Sequence, residues 1–255
     1  MLQGRAFCTG TLITHDVVLT AAHCIEHSVR GFYTGSGEPL AVSAAPVGVP
    51  LPPPPGMIAH PAVKKAAHPG WRSDGVCPSD HAPDVGLIRL AAPVTGIAPM
   101  SLSRESPPAS GTTCEAVGFG AHLEADGSST IRAKRTGTVV VRSQSPFGIS
   151  VGAGSATTDR GDSGGPLICD GFILGADSCW TSSTRKMIPR AGRSSSSAGV
   201  ASPQGRVAHY GRVDKASAWI AATIARWNAT PVDARLATDG SMQRALGPEH
   251  DESSM

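Results

Sequence analysis

Glycine and proline interrupt this chain at intervals too short for long helices. There are 30 glycines and 21 prolines among 255 residues, and the apolar runs between them are short and rich in Val, Ile and Leu. Such runs are typical of short β-strands. Because 40% of the residues are hydrophobic, these strands can bury a substantial core. The composition therefore predicts a folded, mostly β protein with one large domain or two small ones.

A stretch with the composition of a linker divides the chain into two strand-rich units. It covers residues 101–111 and has the sequence SLSRESPPASG. We predict a first unit over residues 1–100, a second unit over residues 112–228, and a disordered polar tail over residues 229–255. Val17–Thr20 is one of the short apolar strands predicted in the first unit.

Three further segments carry local patterns that predict a helix, a mobile loop and a proline-rich loop or ligand. Asp214 is predicted to cap a helix with one apolar face, formed by Trp219, Ile220, Thr223, Ile224 and Trp227. The Ser-rich run Arg193–Ala198 indicates a long mobile loop. The proline-rich segment Pro50–Gly56 is explained either as a rigid surface loop or as a polyproline ligand for another protein, and the rigid loop is favoured.

Charge and cysteine content limit the classes of partner and compartment. The formal net charge is +2, without dense blocks of Lys and Arg, so neither nucleic acid nor a membrane is a predicted partner. The six cysteines include no C-x-x-C pair, which argues against a zinc site and favours disulfides formed in an oxidising compartment. The first residues, MLQGRAFC, show no signal peptide, and no apolar run is long enough to span a membrane.

Ser163 lies in a glycine-rich segment, Gly161–Leu167, directly before an apolar strand. Glycines beside a serine allow a tight turn, expose the hydroxyl and let a substrate carbonyl approach main-chain N–H groups. A nucleophilic serine has these requirements, but an incidental serine in a glycine-rich turn produces the same G-x-S-x-G pattern. The segment alone leaves both interpretations open.

A nucleophilic serine needs an imidazole to accept its proton and a carboxylate to orient the imidazole. His23 follows an apolar strand and precedes Cys24, which would hold it in place. Asp84 directly precedes another apolar strand, where a buried carboxylate needs a partner such as an imidazole N–H. Taken singly, His23 is explained as a core histidine and Asp84 as a turn residue. Together with Ser163 they predict a catalytic triad.

The segments TAAHC, DVGLIRL and GDSGGPL occur in that order and resemble the three signature segments of trypsin/chymotrypsin-type serine peptidases. The resemblance extends from about Cys8 to Asn228. It implies an all-β fold of two packed antiparallel Greek-key β-barrels, with the active site between the barrels and an α-helix at the C-terminus. The first barrel would carry His23 and Asp84, and the second would carry Ser163.

The resemblance also implies an activity and the residues that perform it. The chain is expected to be a serine endopeptidase that cleaves peptide bonds through an acyl-enzyme on Ser163. His23 would act as general base and then as general acid, Asp84 would orient it, and the N–H groups of Gly161 and Ser163 would form the oxyanion hole. The expected partner is a protein or peptide substrate, without cofactor or metal. The protein is expected to be a monomer that is secreted, either extracellular or periplasmic.

The resemblance implies three disulfides and a supporting serine. The expected pairs are Cys8–Cys24, Cys114–Cys169 and, for the two cysteines that remain, Cys77–Cys179. Ser178 corresponds to a family serine that supports the buried catalytic carboxylate and begins the edge strand on which the substrate backbone docks.

The start of the chain departs from the family pattern. Family members begin with a strand whose freed amino terminus pairs with the Asp beside the catalytic serine, here Asp162, but only seven residues precede Cys8. We expect either a truncated start that lacks the first strand or, as in some bacterial relatives, an internal cation that pairs with Asp162. The truncated start is favoured.

The expected substrate pocket also departs from the pattern. Thr157 and Asp159 occupy positions where enzymes that cut after Lys or Arg have an acid and a Cys, so the usual basis of that specificity is missing. Asp177 is a further candidate for the pocket, although it and Asp159 are equally well explained as ordinary polar loop residues. The insertion Thr181–Val207 reshapes the rim. The residues predicted to line the pocket are Thr157, Thr158, Ser178 and Trp180.

Two rival functions would also account for part of the sequence. An α/β-hydrolase esterase would also use the G-x-S-x-G segment, with Asp177 and His209 as its acid and base, but the alternating helices of that fold are absent and TAAHC is left unexplained. A non-catalytic relative would keep the peptidase fold as a binding module. This second possibility is the alternative that stays open.

Overall fold

The structure is a computed structural model, and it describes residues 8–26, 31–35, 42–45, 57–120, 122–123, 129–130, 134–152, 154–182 and 206–229. The Ser-rich run, the proline-rich segment, most of the predicted insertion and the tail from residue 230 onward lie outside these residues. Within the described ranges, no helix is long and apolar enough to cross a membrane.

Six strands from the first part of the chain form a closed antiparallel barrel. They are β1 (Thr9–Thr14), β2 (Val17–Thr20), β3 (Gly31–Gly35), β4 (Val42–Ala45), β5 (Met57–Ala67) and β6 (Gly86–Leu90). Around the barrel the order is β1, β2, β6, β5, β3, β4, so β6 returns from later in the chain to lie between β2 and β5. A short helix, α1 (Ala22–Glu26), follows β2 directly.

The second part of the chain forms another closed antiparallel barrel and a helix. The barrel strands are β7 (Thr113–Gly118), β10 (Arg135–Gln144), β11 (Gly148–Gly152), β12 (Pro166–Cys169), β13 (Phe172–Ser182) and β14 (Arg206–Arg212). Their order around the barrel is β10, β11, β14, β13, β12, β7, and α2 (Val213–Ala229) follows β14. Two short strands, β8 (His122–Leu123) and β9 (Ser129–Thr130), follow β7 in the chain and pair with each other.

Strand β2 is apolar along its length because both of its faces are buried. Val18 packs in the core of the first barrel, whereas Val17 and Leu19 belong to a separate core that includes Ile173 of the second barrel and Ile220 of α2. This shared core packs the two barrels and the helix against one another. Truncation of a buried aliphatic side chain of this size to Ala costs about 2–5 kcal/mol of folding free energy.

The predicted helix is present, with a different start. It begins at Val213, so Asp214 lies in its first turn instead of capping it. The Asp214 carboxylate accepts hydrogen bonds from Arg212 Nε at 2.9 Å and Nη2 at 2.6 Å. Ile220 and Trp227, both predicted on the apolar face, are buried.

The all-β, two-barrel fold with a C-terminal helix is confirmed. The α/β-hydrolase alternative is wrong, because the strands of both barrels pair antiparallel. The helix α1 was not predicted. In the stretch predicted as a linker, Ser103 N–H donates to the Ile173 carbonyl at 2.8 Å, so this stretch is anchored to β13. The division into units at residues 100 and 112 stays a prediction.

Candidate active site

His23 and Asp84 are joined by two hydrogen bonds at one end of the first barrel. His23 is the second residue of α1, and Asp84 lies two residues before β6. The His23 main-chain N–H donates to Asp84 Oδ1 at 3.0 Å, and its Nδ1 lies 2.7 Å from Asp84 Oδ2. A carboxylate accepts, so Nδ1 carries the proton and Nε2 keeps its lone pair. The imidazole is thereby held in the tautomer that a general base requires.

Asp84 is buried and stays charged. Burial alone would raise its pKa, but the hydrogen bond and charge of His23 and the hydroxyl of Ser178 outweigh burial, and the pKa is lowered. Ser178 Oγ donates to Asp84 Oδ2 at 2.6 Å from β13 of the second barrel. The second barrel therefore supplies part of the stabilisation of a carboxylate that belongs to the first.

Ser163 and His23 converge on the sulfur of Cys24. The Ser163 carbonyl oxygen and His23 Nε2 each lie 3.7 Å from Cys24 Sγ. Within the part of the chain that the structure describes, no hydrogen bond joins Ser163 Oγ to His23 Nε2. Catalytic hydrogen bonds of this type commonly tighten only when substrate binds. Ser163 and His23 therefore lie beside the same disulfide, and Asp84 is bonded to His23.

The turn that carries Ser163 depends on two glycines with positive φ. Gly161 has φ 101° and Gly164 has φ 83°. Residues other than glycine rarely adopt this backbone region. A Cβ at Gly164 would also collide with Thr20 Oγ1 and the Thr9 carbonyl. Among the described residues, the N–H groups of Gly161 and Ser163 have no hydrogen-bond acceptor. Two main-chain donors are therefore available beside the Ser163 hydroxyl.

The carboxylate of Asp162 is held by main-chain groups. Its Oδ1 accepts from Gly120 N–H at 2.8 Å and its Oδ2 accepts from Asp159 N–H at 2.8 Å. A Cβ at Gly118 or Gly120 would collide with this carboxylate, so the two glycines make room for it. Burial raises the pKa of Asp162. The amino terminus that the family pattern would pair with Asp162 lies outside the described residues.

Two of the residues predicted to line the substrate pocket, Thr158 and Trp180, contact Arg206. Its Nη1 lies 3.1 Å from Asp159 Oδ2 and 3.5 Å from the Thr158 carbonyl. Its guanidinium carbon lies 4.4 Å from the centre of the Trp180 ring, which is a cation–π contact. Arg206 therefore links the segment before Ser163 to the outer part of β13. Thr157 is exposed at the edge of this group.

Asp177 is a buried acid beside the same group. Burial, followed by the charges of Asp162 and Asp84, raises its pKa well above the ordinary value. Asp177 Oδ1 and Thr158 Oγ1 are both buried, and neither makes a hydrogen bond of ordinary geometry in the described part of the chain. Weaker interactions of the Asp177 carboxyl with Thr158 and with the Ser178 main chain offset only part of the rise in pKa. Asp177 lies within β13, paired with Tyr210, so its interpretation as an ordinary loop residue is wrong. Its place in the pocket stays a prediction.

Three disulfides are present, in the pairs that the resemblance implies. Cys77–Cys179 connects the loop before Asp84 to β13 and so joins the two barrels. Its two cysteines are partly exposed, whereas the other four are buried. The remaining bonds are Cys8–Cys24 and Cys114–Cys169.

Among the residues that the structure describes, two groups bring three potential metal ligands together. The first contains His23 with Cys8 and Cys24, whose sulfurs are engaged in a disulfide and are therefore not thiolate ligands. The second is an exposed group in which His81 Nε2 lies 3.2 Å from both Asp74 and Asp80.

Comparison with known proteins identifies the family. Residues 1–220 match the family described as Trypsin. This chain belongs to the trypsin family. The snake venom serine protease BthaTL of Bothrops alternatus is 31% identical to it, and the alignment covers 74% of this chain and 81% of BthaTL. The snake venom serine protease ussurin of Gloydius ussuriensis is also 31% identical, and the alignment covers 69% of this chain and 76% of ussurin. A snake venom serine protease homolog of Bothrops jararaca, HS120, is 28% identical, with 69% of this chain and 67% of its own length covered.

Solved structures of trypsin-like proteins share the fold. Neuropsin, a serine protease expressed in the limbic system of mouse brain, superposes with a TM-score of 0.61 at 22% identity, covering 86% of this chain and 92% of its own. A mutant of human heparin binding protein superposes with a TM-score of 0.57 at 21% identity, and the match covers 91% of this chain and 92% of that protein. At these identities the likeness concerns the fold alone.

Two residues of the site were not predicted from the sequence. Arg206 has no motif around it and lies 47 residues from Asp159 in the chain. Thr9 lies 152 residues from Gly161, to whose carbonyl its hydroxyl donates at 2.8 Å. Thr9 directly follows Cys8, and no local motif marks its hydroxyl as part of the site.

Proposed function

We propose that this chain is a serine endopeptidase with His23, Asp84 and Ser163 as its catalytic triad. The observation that carries the proposal is the 2.7 Å contact between His23 Nδ1 and Asp84 Oδ2. It leaves Nε2 available as a base on the side of the ring where Cys24 contacts both His23 and Ser163. Membership of the trypsin family makes a hydrolase the natural class of enzyme.

The first half of the reaction forms an ester on Ser163. Its Oγ attacks the carbonyl carbon of the scissile peptide bond while His23 Nε2 removes the hydroxyl proton. The oxygen that becomes negatively charged accepts hydrogen bonds from the N–H groups of Gly161 and Ser163. His23 then donates its new proton to the leaving amine, and the C–N bond breaks. Asp84 stabilises the imidazolium throughout.

The second half of the reaction returns the enzyme to its starting state. A water molecule gives its proton to His23 Nε2 and attacks the acyl carbon, and the same two N–H groups hold the oxyanion. His23 returns the proton to Ser163 Oγ as the ester bond breaks and the acid product leaves. No cofactor enters these steps.

The substrate backbone docks on the free edge of β13. The pairing of this edge with the Ser163 turn ends at Asp177, whose N–H donates to the Gly165 carbonyl at 2.8 Å and whose carbonyl accepts from Gly164 N–H at 2.7 Å. Beyond Asp177 the described pairing of β13 is with β14. An extended peptide can add to the unpaired edge. Thr157, Thr158 and Trp180 would contact the side chain beside the cleaved bond.

We place this peptidase outside the cell, as a monomer that acts on proteins or peptides. Three disulfides persist in oxidising compartments, and the relatives named above include venom proteins. The alternative is a non-catalytic binding module, in which the same cleft would hold peptide without cleaving it.

A peptide-cleavage assay separates the two functions. The disulfide-bonded full chain is incubated with a peptide library that presents each of the twenty residues before the cleavable bond, and products are sequenced by mass spectrometry. The peptidase account expects cleavage that disappears in Ser163→Ala and persists in Ser110→Ala, whose hydroxyl bonds only main-chain carbonyls of β10. Peptide binding of equal strength in wild type and Ser163→Ala, without cleavage in either, would establish the binding module.

A further inference from the structure

Thr9, the first residue of β1, connects the first barrel to the turn that carries Ser163. Its N–H donates to the Ser163 carbonyl at 2.7 Å, and its hydroxyl donates to the Gly161 carbonyl at 2.8 Å. The hydroxyl oxygen also accepts from Phe119 N–H at 3.2 Å. Thr9 is fully buried. Its main chain and its side chain thus hold the two carbonyls on either side of Asp162.

We propose that Thr9 is a positioning residue for the oxyanion hole, and this role rests on the proposed peptidase function. The bond to the Gly161 carbonyl fixes the plane of the peptide between Gly161 and Asp162. The bond to the Ser163 carbonyl fixes the peptide between Ser163 and Gly164. The Ser163 N–H belongs to the peptide that lies between these two fixed peptides, and the Gly161 N–H belongs to the peptide that directly precedes them. Both oxyanion donors are therefore held from the opposite barrel.

The two hydrogen bonds of the Thr9 hydroxyl can be arranged in one way only. A threonine hydroxyl has a single hydrogen and two lone pairs. Phe119 N–H must use a lone pair, since it is a donor, and the Gly161 carbonyl must receive the hydrogen, since it is an acceptor. The hydroxyl proton is therefore directed at Gly161. A residue with the same shape and no hydroxyl would leave a buried carbonyl and a buried N–H unpaired.

The turn needs such a restraint because glycine does not restrain it. Gly161 is held at φ 101°, but a glycine also populates the other backbone regions at little cost. The Asp162 side chain accepts hydrogen bonds from Gly120 and Asp159. Main-chain bonds within the second barrel also hold the turn, since Asp162 N–H donates to the Asp159 carbonyl at 3.1 Å and Gly165 N–H donates to the Asp162 carbonyl at 2.7 Å. None of these bonds involves the carbonyls of Gly161 and Ser163, and Thr9 supplies the bonds to those two. The hydroxyl adds a contact that the main chain of β1 alone does not make.

Three variants separate positioning from simple stability. Thr9→Val removes the hydroxyl and keeps the shape, and Thr9→Ser keeps the hydroxyl and removes a methyl group. Thr34→Val is the matched control, because Thr34 is a buried threonine of the same barrel whose hydroxyl bonds His60 Nε2 at 2.7 Å. Each variant is assayed for kcat and KM on a peptide amide, for the pH dependence of kcat/KM and for inhibition by a peptide aldehyde that mimics the tetrahedral intermediate.

The expected result is a selective loss of transition-state stabilisation. Removing one oxyanion donor lowers kcat by about 10²–10³-fold, so disturbing its position through Thr9→Val is expected to lower kcat by about 10–100-fold. The aldehyde should bind more weakly by a similar factor, while KM and the apparent pKa of kcat/KM stay unchanged. Thr9→Ser should recover most of kcat, and Thr34→Val should lose stability without losing kcat.

Two outcomes would overturn this role, and a third concerns the peptidase itself. Equal kcat in wild type and Thr9→Val, or equal losses in the Val and Ser variants, would show that the hydroxyl does not position the turn. If Thr9→Val does not fold, Thr9→Ser and Thr9→Ala provide the same comparison of hydroxyl against no hydroxyl. Absence of turnover in the wild type would instead refute the proposed function and, with it, the catalytic role of Thr9.

Discussion

Ser178 Oγ donates a 2.6 Å hydrogen bond to Asp84 Oδ2, the oxygen that also contacts His23 Nδ1. Ser178 belongs to β13 of the second barrel, and Asp84 precedes β6 of the first. One carboxylate oxygen therefore receives a donor from each barrel. The orientation of the imidazole depends on how the barrels pack as well as on the loop that holds Asp84.

Replacing Ser178 by Ala should weaken the orientation of His23. The lost donor bonds a charged, buried acceptor, and such bonds contribute about 1.5–3 kcal/mol. We expect kcat/KM to fall by roughly 10–100-fold, since 1.4 kcal/mol corresponds to a factor of ten. Steady-state kinetics on a peptide amide measures this, with Ser110→Ala as a control that should keep full activity. An unchanged kcat/KM in Ser178→Ala would contradict the account.

Asp84→Asn tests the carboxylate itself. An amide in this position can donate to His23 Nδ1, which favours the tautomer with the proton on Nε2 and removes the base. We expect kcat to fall by about 10⁴-fold, as such a change of tautomer causes in Ser-His-Asp enzymes. Circular dichroism verifies the fold of the variant. A folded Asp84→Asn protein with more than a tenth of wild-type kcat would show that Asp84 does not orient the base.

Asp177 is expected to make stability depend on pH. Its pKa is raised by burial and by the charges of Asp162 and Asp84, so the folded state holds this proton more tightly than the unfolded state. Its contribution to stability is complete below the ordinary carboxyl pKa of 3.8 and is lost as pH rises through the folded-state pKa. Asp177→Asn should therefore increase the free energy of unfolding at neutral pH, relative to wild type, more than it does near pH 4.

Urea unfolding from pH 4 to pH 8 measures this difference. Glu105→Gln is the control, because it removes the charge of an exposed carboxylate and leaves Asp177 in place. A difference between Asp177→Asn and wild type that does not grow with pH would mean that the Asp177 carboxyl is solvated or paired in the folded protein.

The Cys77–Cys179 bond should stabilise the protein and align the site. It closes a chain segment with a sequence separation of 102 residues, and disulfides of this kind contribute about 2–4 kcal/mol. The double variant Cys77→Ser/Cys179→Ser should unfold at lower denaturant concentration. Because Cys179 is adjacent to Ser178, kcat/KM should also fall. Retention of both stability and activity would show that the bond is dispensable for the packing of the barrels.

The sequence predicted the parts of the fold that depend on local pattern. Val17–Thr20 was found with its correct bounds because both faces of β2 are buried, which makes the strand a continuous apolar run. The second half of β13 carries polar residues, so it shows no continuous apolar run in the sequence. Helix α1 has five residues, too few for a helical period to be visible.

The candidate triad and its support by Ser178 were predicted from the sequence, whereas the contacts of Thr9 and Arg206 were not. His23, Asp84 and Ser163 each lie in a distinctive segment, so chemistry and resemblance pointed to them as candidates. Thr9 and Arg206 act through partners far away in the chain, and a lone threonine or arginine carries no pattern that reveals such a partner. Such residues become visible only when tertiary packing brings the segments together.

Labelling with a fluorophosphonate probe tests the central claim most directly. A serine activated by His23 displaces fluoride from phosphorus and keeps the phosphonyl group on Ser163 Oγ. The account predicts one adduct per molecule on the peptide that contains Ser163, none in Ser163→Ala and strongly slowed labelling in His23→Ala. A correctly disulfide-bonded wild-type protein that stays unlabelled, or that carries the label on another residue, would contradict it.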